Sequence, residues 1–174
     1  QEAERRGLPN LKCMVDSIPS LVTEKAVKLF GDFGVYTRSE LYARAEIEYE
    51  TYAKSVLVEA RTMSDMAGKQ IIPAVIRYSG DLARSLNEVR TACPKELVLE
   101  VSSLLAAMKN AMEEIRKDLE KAGTMSNMKE RAHFCYDEMV PAMNRLREPA
   151  DRLEMIVDKE YWPFPSYGDM IFEV

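Results

Sequence analysis

The sequence predicts an all-α fold: an antiparallel bundle of three long helices, with a short helix before them and an aromatic, extended tail after them. Three observations carry this. Apolar residues recur at spacings of three and four over stretches much longer than a strand. Only seven glycines punctuate the 174 residues. No segment alternates as a half-buried strand does, Met170 to Val174 coming nearest to it.

Each element follows from local signals. Pro19 suits the start of a short helix over about Ser20 to Phe30, which Gly31 and Gly34 end. Thr37-Arg-Ser-Glu40 is a capping-box pattern, so the first long helix starts at Arg38. Its apolar line runs through Tyr42, Ala45, Tyr49, Tyr52, Val56, Ala60, Met63, Ala67, Ile71, Ala74, Tyr78, Leu82 and Val89. From Arg38 to Thr91 that helix would extend roughly 80 Å at 1.5 Å per residue. Pro73 should kink it, because proline removes a ladder bond and crowds the preceding turn. A second long helix is predicted from Pro94 to about Ala122, with Leu97, Val101, Leu104, Met108, Ala111, Ile115 and Leu119 on one face and Gly123 at its end. The third is predicted from about Asn127 to Glu160, on the stripe Met128, Ala132, Cys135, Met139, Ala142, Leu146, Leu153 and Val157, bent at Pro141 and Pro149. Short connections make consecutive helices antiparallel neighbours. The boundaries implied are 1–36 for a preceding segment with its short helix, 37–160 for the long-helix bundle and 161–174 for the tail.

Helix lengths add an expectation about partners. A second long helix folding back from Pro94 covers the first only down to about Thr62 to Asp65. Arg38 to Arg61 should therefore extend past the three-helix core. Ile47 and Val58 lie opposite the main apolar line there, and a helix that is apolar on two faces needs two partners. One would be the short helix at Ser20 to Phe30. The other would lie outside this chain.

Composition excludes several functions. A net charge of −5 and a pI near 5.1 oppose a nucleic-acid footprint, which needs clustered positive charge. The longest apolar run, Leu97 to Met108, is broken by Glu100, Ser102 and Ser103 and is too short for a membrane span. The start, Gln1-Glu-Ala-Glu-Arg-Arg, has no signal-peptide pattern. Cys13, Cys93 and Cys135 are odd in number and widely spaced, which fits reduced thiols in a cytoplasmic protein.

Candidate chemistry is sparse. Glu130-Arg-Ala-His133 has the Glu-x-x-His spacing of di-iron bundles, but that site needs a second such pair, and His133 is the single histidine. On a helical wheel it points away from the stripe, as a surface histidine would. No Gly-rich phosphate loop occurs, since Gly31-Asp-Phe-Gly34 lacks the lysine and its setting. Glu46, Glu48 and Glu50 read as the solvated side of a helix. No catalytic, cofactor-binding or metal-binding residue is assigned.

The tail is the most informative stretch. Tyr161 to Val174 holds five of the fourteen aromatic residues and the only tryptophan. Pro163 and Pro165 bias Trp162 and Phe164 toward extended geometry. Exposing Trp162, Phe164, Tyr167 and Phe172 together would make an apolar patch that soluble monomers avoid. The tail should be docked, on its own bundle or on a neighbour. The candidate structural and interface residues are thus Trp162, Phe164, Tyr167, Phe172, Ile47 and Val58.

This tail, together with Lys25-Ala-Val-Lys-Leu-Phe-Gly, Arg38-Ser-Glu-Leu, Glu59-Ala-Arg-Thr-Met-Ser-Asp-Met-Ala and Ile71-Ile-Pro-Ala-Val, resembles the C-terminal region of type III glutamine synthetases. The resemblance covers nearly the whole chain and is weakest between Cys93 and Met128. It implies a parent enzyme that joins ammonia to glutamate using ATP and a divalent metal, Mg or Mn, and that assembles as stacked hexameric rings. None of the family's metal, ATP or glutamate motifs falls on this chain, so no catalytic residue carries over. The resemblance further implies that Leu8-Pro9 to about Tyr36 trails from an upstream catalytic domain, and that the remainder is an accessory domain bracing the oligomer. The alternative is a free-standing helical adaptor whose aromatic tail binds another protein.

Overall fold

The computed structural model describes residues 2–88, 95–165 and 167–172, and every regular element among them is helical. The chain opens with two single turns, α1 (Glu2–Arg5) and α2 (Met14–Ser17). A 3-10 turn over Ile18–Val22 then leads into α3 (Glu24–Asp32). Thr23 caps α3 by accepting from the Ala26 N–H at 3.2 Å. Past its end, the Gly34 N–H donates to the Gly31 carbonyl at 3.0 Å and the Val35 N–H to the Phe30 carbonyl at 2.9 Å. This double closure needs a left-handed residue, and Gly34 supplies it with φ +61°.

The expected capping box is present at the start of α4 (Arg38–Met66). The Glu40 N–H donates to Thr37 Oγ1 at 3.3 Å, and the Thr37 N–H donates to Glu40 Oε2 at 2.7 Å. A bidentate pair between Arg38 and Glu24, at 2.6 and 2.9 Å, ties this start to that of α3. The helix continues through a π-helical turn, Ala67–Ile71, into α5 (Ile72–Glu88), making 51 residues without a loop.

The π turn explains how Pro73 is tolerated. In a regular α-helix its ring would press on the carbonyl four residues back. Here the ladder widens just before it, and the Ile72 N–H reaches back five residues to the Ala67 carbonyl. The same device recurs at Pro141. After α6 (Lys95–Thr124) and α7 (Met128–Phe134), a π turn over Cys135–Met139 precedes α8 (Val140–Ile156), with the Val140 N–H on the Cys135 carbonyl. Each π turn thus ends two residues before its proline.

The predicted third long helix is therefore α7, a π turn and α8, and it stops at Ile156 rather than Glu160. Val157 is extended there, and Asp158 begins a turn. The tail is not extended throughout: Tyr167–Phe172 forms α9, so Met170 onward begins as helix and not as strand. Gly123 does not end α6, which runs on to Thr124.

The core lies where α4–α5, α6 and α7–α8 meet, with Val101, Met108, Ile115, Cys135, Met139 and Leu153 fully buried. Between α6 and α8, Arg145 pairs with Glu114 and Arg152 with Glu100, both at 2.6 Å. These exposed pairs mark the antiparallel register more than they stabilise it. The expectation that Arg38 to Arg61 overhangs the core needs correction. The His133 ring lies 6.3 Å from that of Tyr49, and Cys135 Sγ is 4.0 Å from the Ala53 carbonyl. Residues 125–127 are non-helical and carry the chain beyond the end of α6 before α7 turns back. The N-terminal turns also pack on α4, burying Val15 and Ile18. The side of α4 that carries Ile47 and Val58 remains exposed.

Candidate functional site

Two surfaces carry the residues singled out in the sequence. The first is the tail. Where α8 ends, the Val157 N–H closes on the Leu153 carbonyl at 2.8 Å, and the Tyr161 and Trp162 N–H groups return to the Asp158 carbonyl at 2.9 and 3.1 Å. This tight turn delivers Tyr161 to α5. Its ring meets Tyr78 edge-on, with centroids 5.7 Å apart, and its hydroxyl donates to Asp81. Tyr78 in turn donates to the Ile156 carbonyl at 3.2 Å. Trp162 and Phe164 stack edge-to-face at 6.4 Å and pack, half-buried, on the core. Edge-to-face contacts of this kind add stability beyond the area they bury.

Tyr161, Trp162 and Phe164 therefore pack on their own bundle, Tyr161 at α5. The loop at Cys93-Pro94 is outside the described residues, as is the side chain of Tyr167. Phe172 takes no part in this docking. It stands 80% exposed at the end of α9, beside the exposed Met170 and Ile171. Lys159 pairs with Asp169 and ties α9 back to the turn that precedes it.

The second surface is the outer face of α4. Its buried line, Leu41, Ala45, Ala53, Leu57 and Ala60, faces the bundle. Ile47 and Val58 stand on the other side, 57% and 58% exposed. They are three turns apart and so share a face. Ile47 lines a hollow with Tyr36 and Arg44, whose guanidinium lies 4.5 Å over the Tyr36 ring. Phe30 packs edge-on against that ring at 5.7 Å. Phe33 and Val35, in the turn after α3, are also exposed. Apolar residues on one helix face and on the turn leading into it are thus left without cover.

The remaining candidates are structural. His133 is half-buried against Tyr49 rather than on open surface, because α7 packs along α4 there. Among the described residues no three of His, Cys, Asp and Glu come together as a cluster that could hold a metal ion. Burial pushes the Cys135 thiol above its ordinary range, with Arg131 opposing weakly. It also raises the Tyr49 and Tyr52 phenols. No helix among the described residues is long and apolar enough to cross a membrane.

The π turns were missed in the sequence, although the signal was present. A proline inside an unbroken apolar periodicity demands either a kink or a widened turn. The contribution of Val15 and Ile18 was missed too, since three residues of spacing is too short a repeat to register.

Fold and surfaces define a helical domain that packs Tyr161, Trp162 and Phe164 on itself and, among the described residues, leaves apolar residues on the outer face of α4 exposed. The family model of the glutamine synthetase C-terminal domain matches residues 1–90, more than half of the chain, and the chain belongs to that family. It is similar over its full length to a glutamine synthetase of Butyrivibrio fibrisolvens, at 31% identity across 100% of this chain and 26% of the relative. A glutamine synthetase of Bacteroides fragilis is 31% identical across 99% of the chain and 25% of its own length. A type-3 glutamine synthetase of Dictyostelium discoideum is 28% identical across 98% and 25%. The chain spans about a quarter of the length of the curated relatives it matches.

Proposed function

We propose that this chain is the non-catalytic helical domain of a type III glutamine synthetase, and that it braces the assembled enzyme. In this reading the parent joins ammonia to glutamate with ATP and Mg or Mn, and its catalytic domain lies upstream in the same polypeptide. The parent is a cytoplasmic homo-oligomer of stacked hexameric rings, with the catalytic body seated on the open face of α4. The observation that carries the reading is that face: Ile47 and Val58 are exposed on a helix whose other side buries Leu41, Ala45, Tyr49, Ala53, Leu57 and Ala60, though not Tyr42, which is 47% exposed. The apolar turn at Phe33 and Val35 continues it toward the start of the chain, where an upstream domain would attach. The rival adaptor reading is weakened at Trp162 and Phe164, which are packed on the bundle, and keeps Phe172, with Met170 and Ile171, as the exposed part of the tail.

Activity and assembly assays test this together. The isolated chain is expected to form no γ-glutamyl hydroxamate above blank. The longer enzyme is expected to lose assembled mass when the face of α4 is made polar. Hydroxamate formed by the isolated chain would defeat the non-catalytic assignment.

A further inference from the structure

The described surface also holds a hollow of about 780 Å³ on the seam between the α4–α5 helix and α6, open to solvent along its length. This is within the size range of small-molecule sites. It lies beside the first π turn, and such turns in long helices often accompany functional sites. Its lining includes the apolar side chains of Ile72, Met112 and Leu119. Gly68 makes that wall thin: a Cβ there would come within 2.9 Å of the Met112 methyl.

The charged residues at the rim are not equivalent. Asp65 is held by Lys69 at 2.7 Å, and Glu113 is held by Arg116 at 2.6 Å. Arg61 and Lys109 have no ion-pair partner among the described residues. One turn along from Arg61, on the same face, the Ser64 hydroxyl is buried and has no hydrogen-bond partner among the described residues. A buried hydroxyl without a partner is costly, and rotation of the Ser64 side chain into the hollow would let a ligand oxygen satisfy it. From Arg61 to Ile72 the seam runs roughly 16 Å at 1.5 Å per residue.

We infer that this hollow binds a linear aliphatic carboxylate, its head on Arg61 and Ser64 and its chain lying over Ile72, Met112 and Leu119. Charge selects the class, because the free groups are cationic and the acidic groups nearby are already paired. Shape selects a linear body, since the trough follows a helix seam. Arg61 is assigned the head in preference to Lys109, because it alone has the unpartnered hydroxyl beside it and a planar fork suited to a carboxylate.

The test is titration of the chain with octanoate and with neutral octanol, below the concentrations at which either self-associates. Calorimetry and the methyl NMR signals of the methionines are the readouts. Saturable octanoate binding that shifts the Met112 methyl is expected, with octanol roughly tenfold weaker. Arg61→Gln should weaken octanoate binding about tenfold and Lys109→Gln less than about threefold, with helix content unchanged in both. Gly68→Ala should drive the Met112 methyl into the trough and lower affinity at unchanged helix content. Four results would overturn the inference: no saturable binding, equal binding of octanol, indifference to Arg61→Gln, or an unshifted Met112 methyl. Binding by this chain that vanishes in the longer enzyme would also overturn it, by showing that the trough is covered by a neighbouring domain.

Discussion

At the scale of single residues, Trp162 and Cys135 carry the sharpest consequences. Trp162 packs on the bundle through a turn fixed by three backbone bonds, so its loss should destabilise the chain that carries it. Trp162→Ala is expected to cost about 3 kcal/mol, the low end for large aromatics because its ring is only half-buried. Denaturant unfolding should show the loss while sedimentation shows an unchanged mass. An unchanged midpoint would mean the tail is not docked. Cys135 makes a pH prediction. Burial raises its thiol pKa in the fold, so the unfolded chain gives up that proton first. The associated stability is complete below the unfolded thiol's value of about 8.5 and falls as pH rises above it. Unfolding midpoints measured at neutral pH and near pH 9.5 should diverge, and Cys135→Ala should narrow the gap. Much at this scale was legible. Trp162 and Phe164 announced themselves as residues that had to be covered, and Ile47 and Val58 as residues facing away from the bundle. Phe172 was not legible, since its exposure depends on where α9 starts, and no pattern in six residues sets that.

At the scale of elements, caps and prolines decide the outcome. Thr37→Ala removes the hydroxyl that accepts from the Glu40 N–H and leaves the first turn of α4 short of a partner. A loss of about 1 kcal/mol is expected from denaturant unfolding, with no change in mass. A loss indistinguishable from zero would show that the Arg38–Glu24 pair alone holds this junction. The π turns predict uneven amide protection. Their widened ladders should exchange faster than the buried stretch from Ala53 to Ala60, and hydrogen exchange read residue by residue checks this. Uniform protection from 50 to 80 would contradict a specialised turn. The capping box was readable because it depends on residues within one turn of each other, and the continuous helix past Pro73 because apolar spacings of three and four run on through it. The overhang of α4 was misjudged because a three-residue link can carry a chain several ångströms, and helix lengths alone do not record it.

At the scale of the molecule, the all-α class was legible because every long segment repeats at helical spacing. The open surface of α4 was legible in the same way, as an apolar pair on the wrong side of a packed helix. What covers that surface was not readable from periodicity, since a partner outside the chain leaves no pattern except the residues it requires. The account holds that the catalytic body of a glutamine synthetase sits there and that the domain braces the assembly. The most direct test places Ile47→Glu and Val58→Glu together in the full-length enzyme and compares its mass by sedimentation with that of the unaltered enzyme. The same pair is placed in this chain alone as a folding control. Because both side chains are exposed here, the isolated chain should keep its unfolding midpoint within about 0.5 kcal/mol. The full-length enzyme should fall to smaller species. A full-length enzyme of unchanged mass and activity, beside an equally stable isolated domain, would contradict the account.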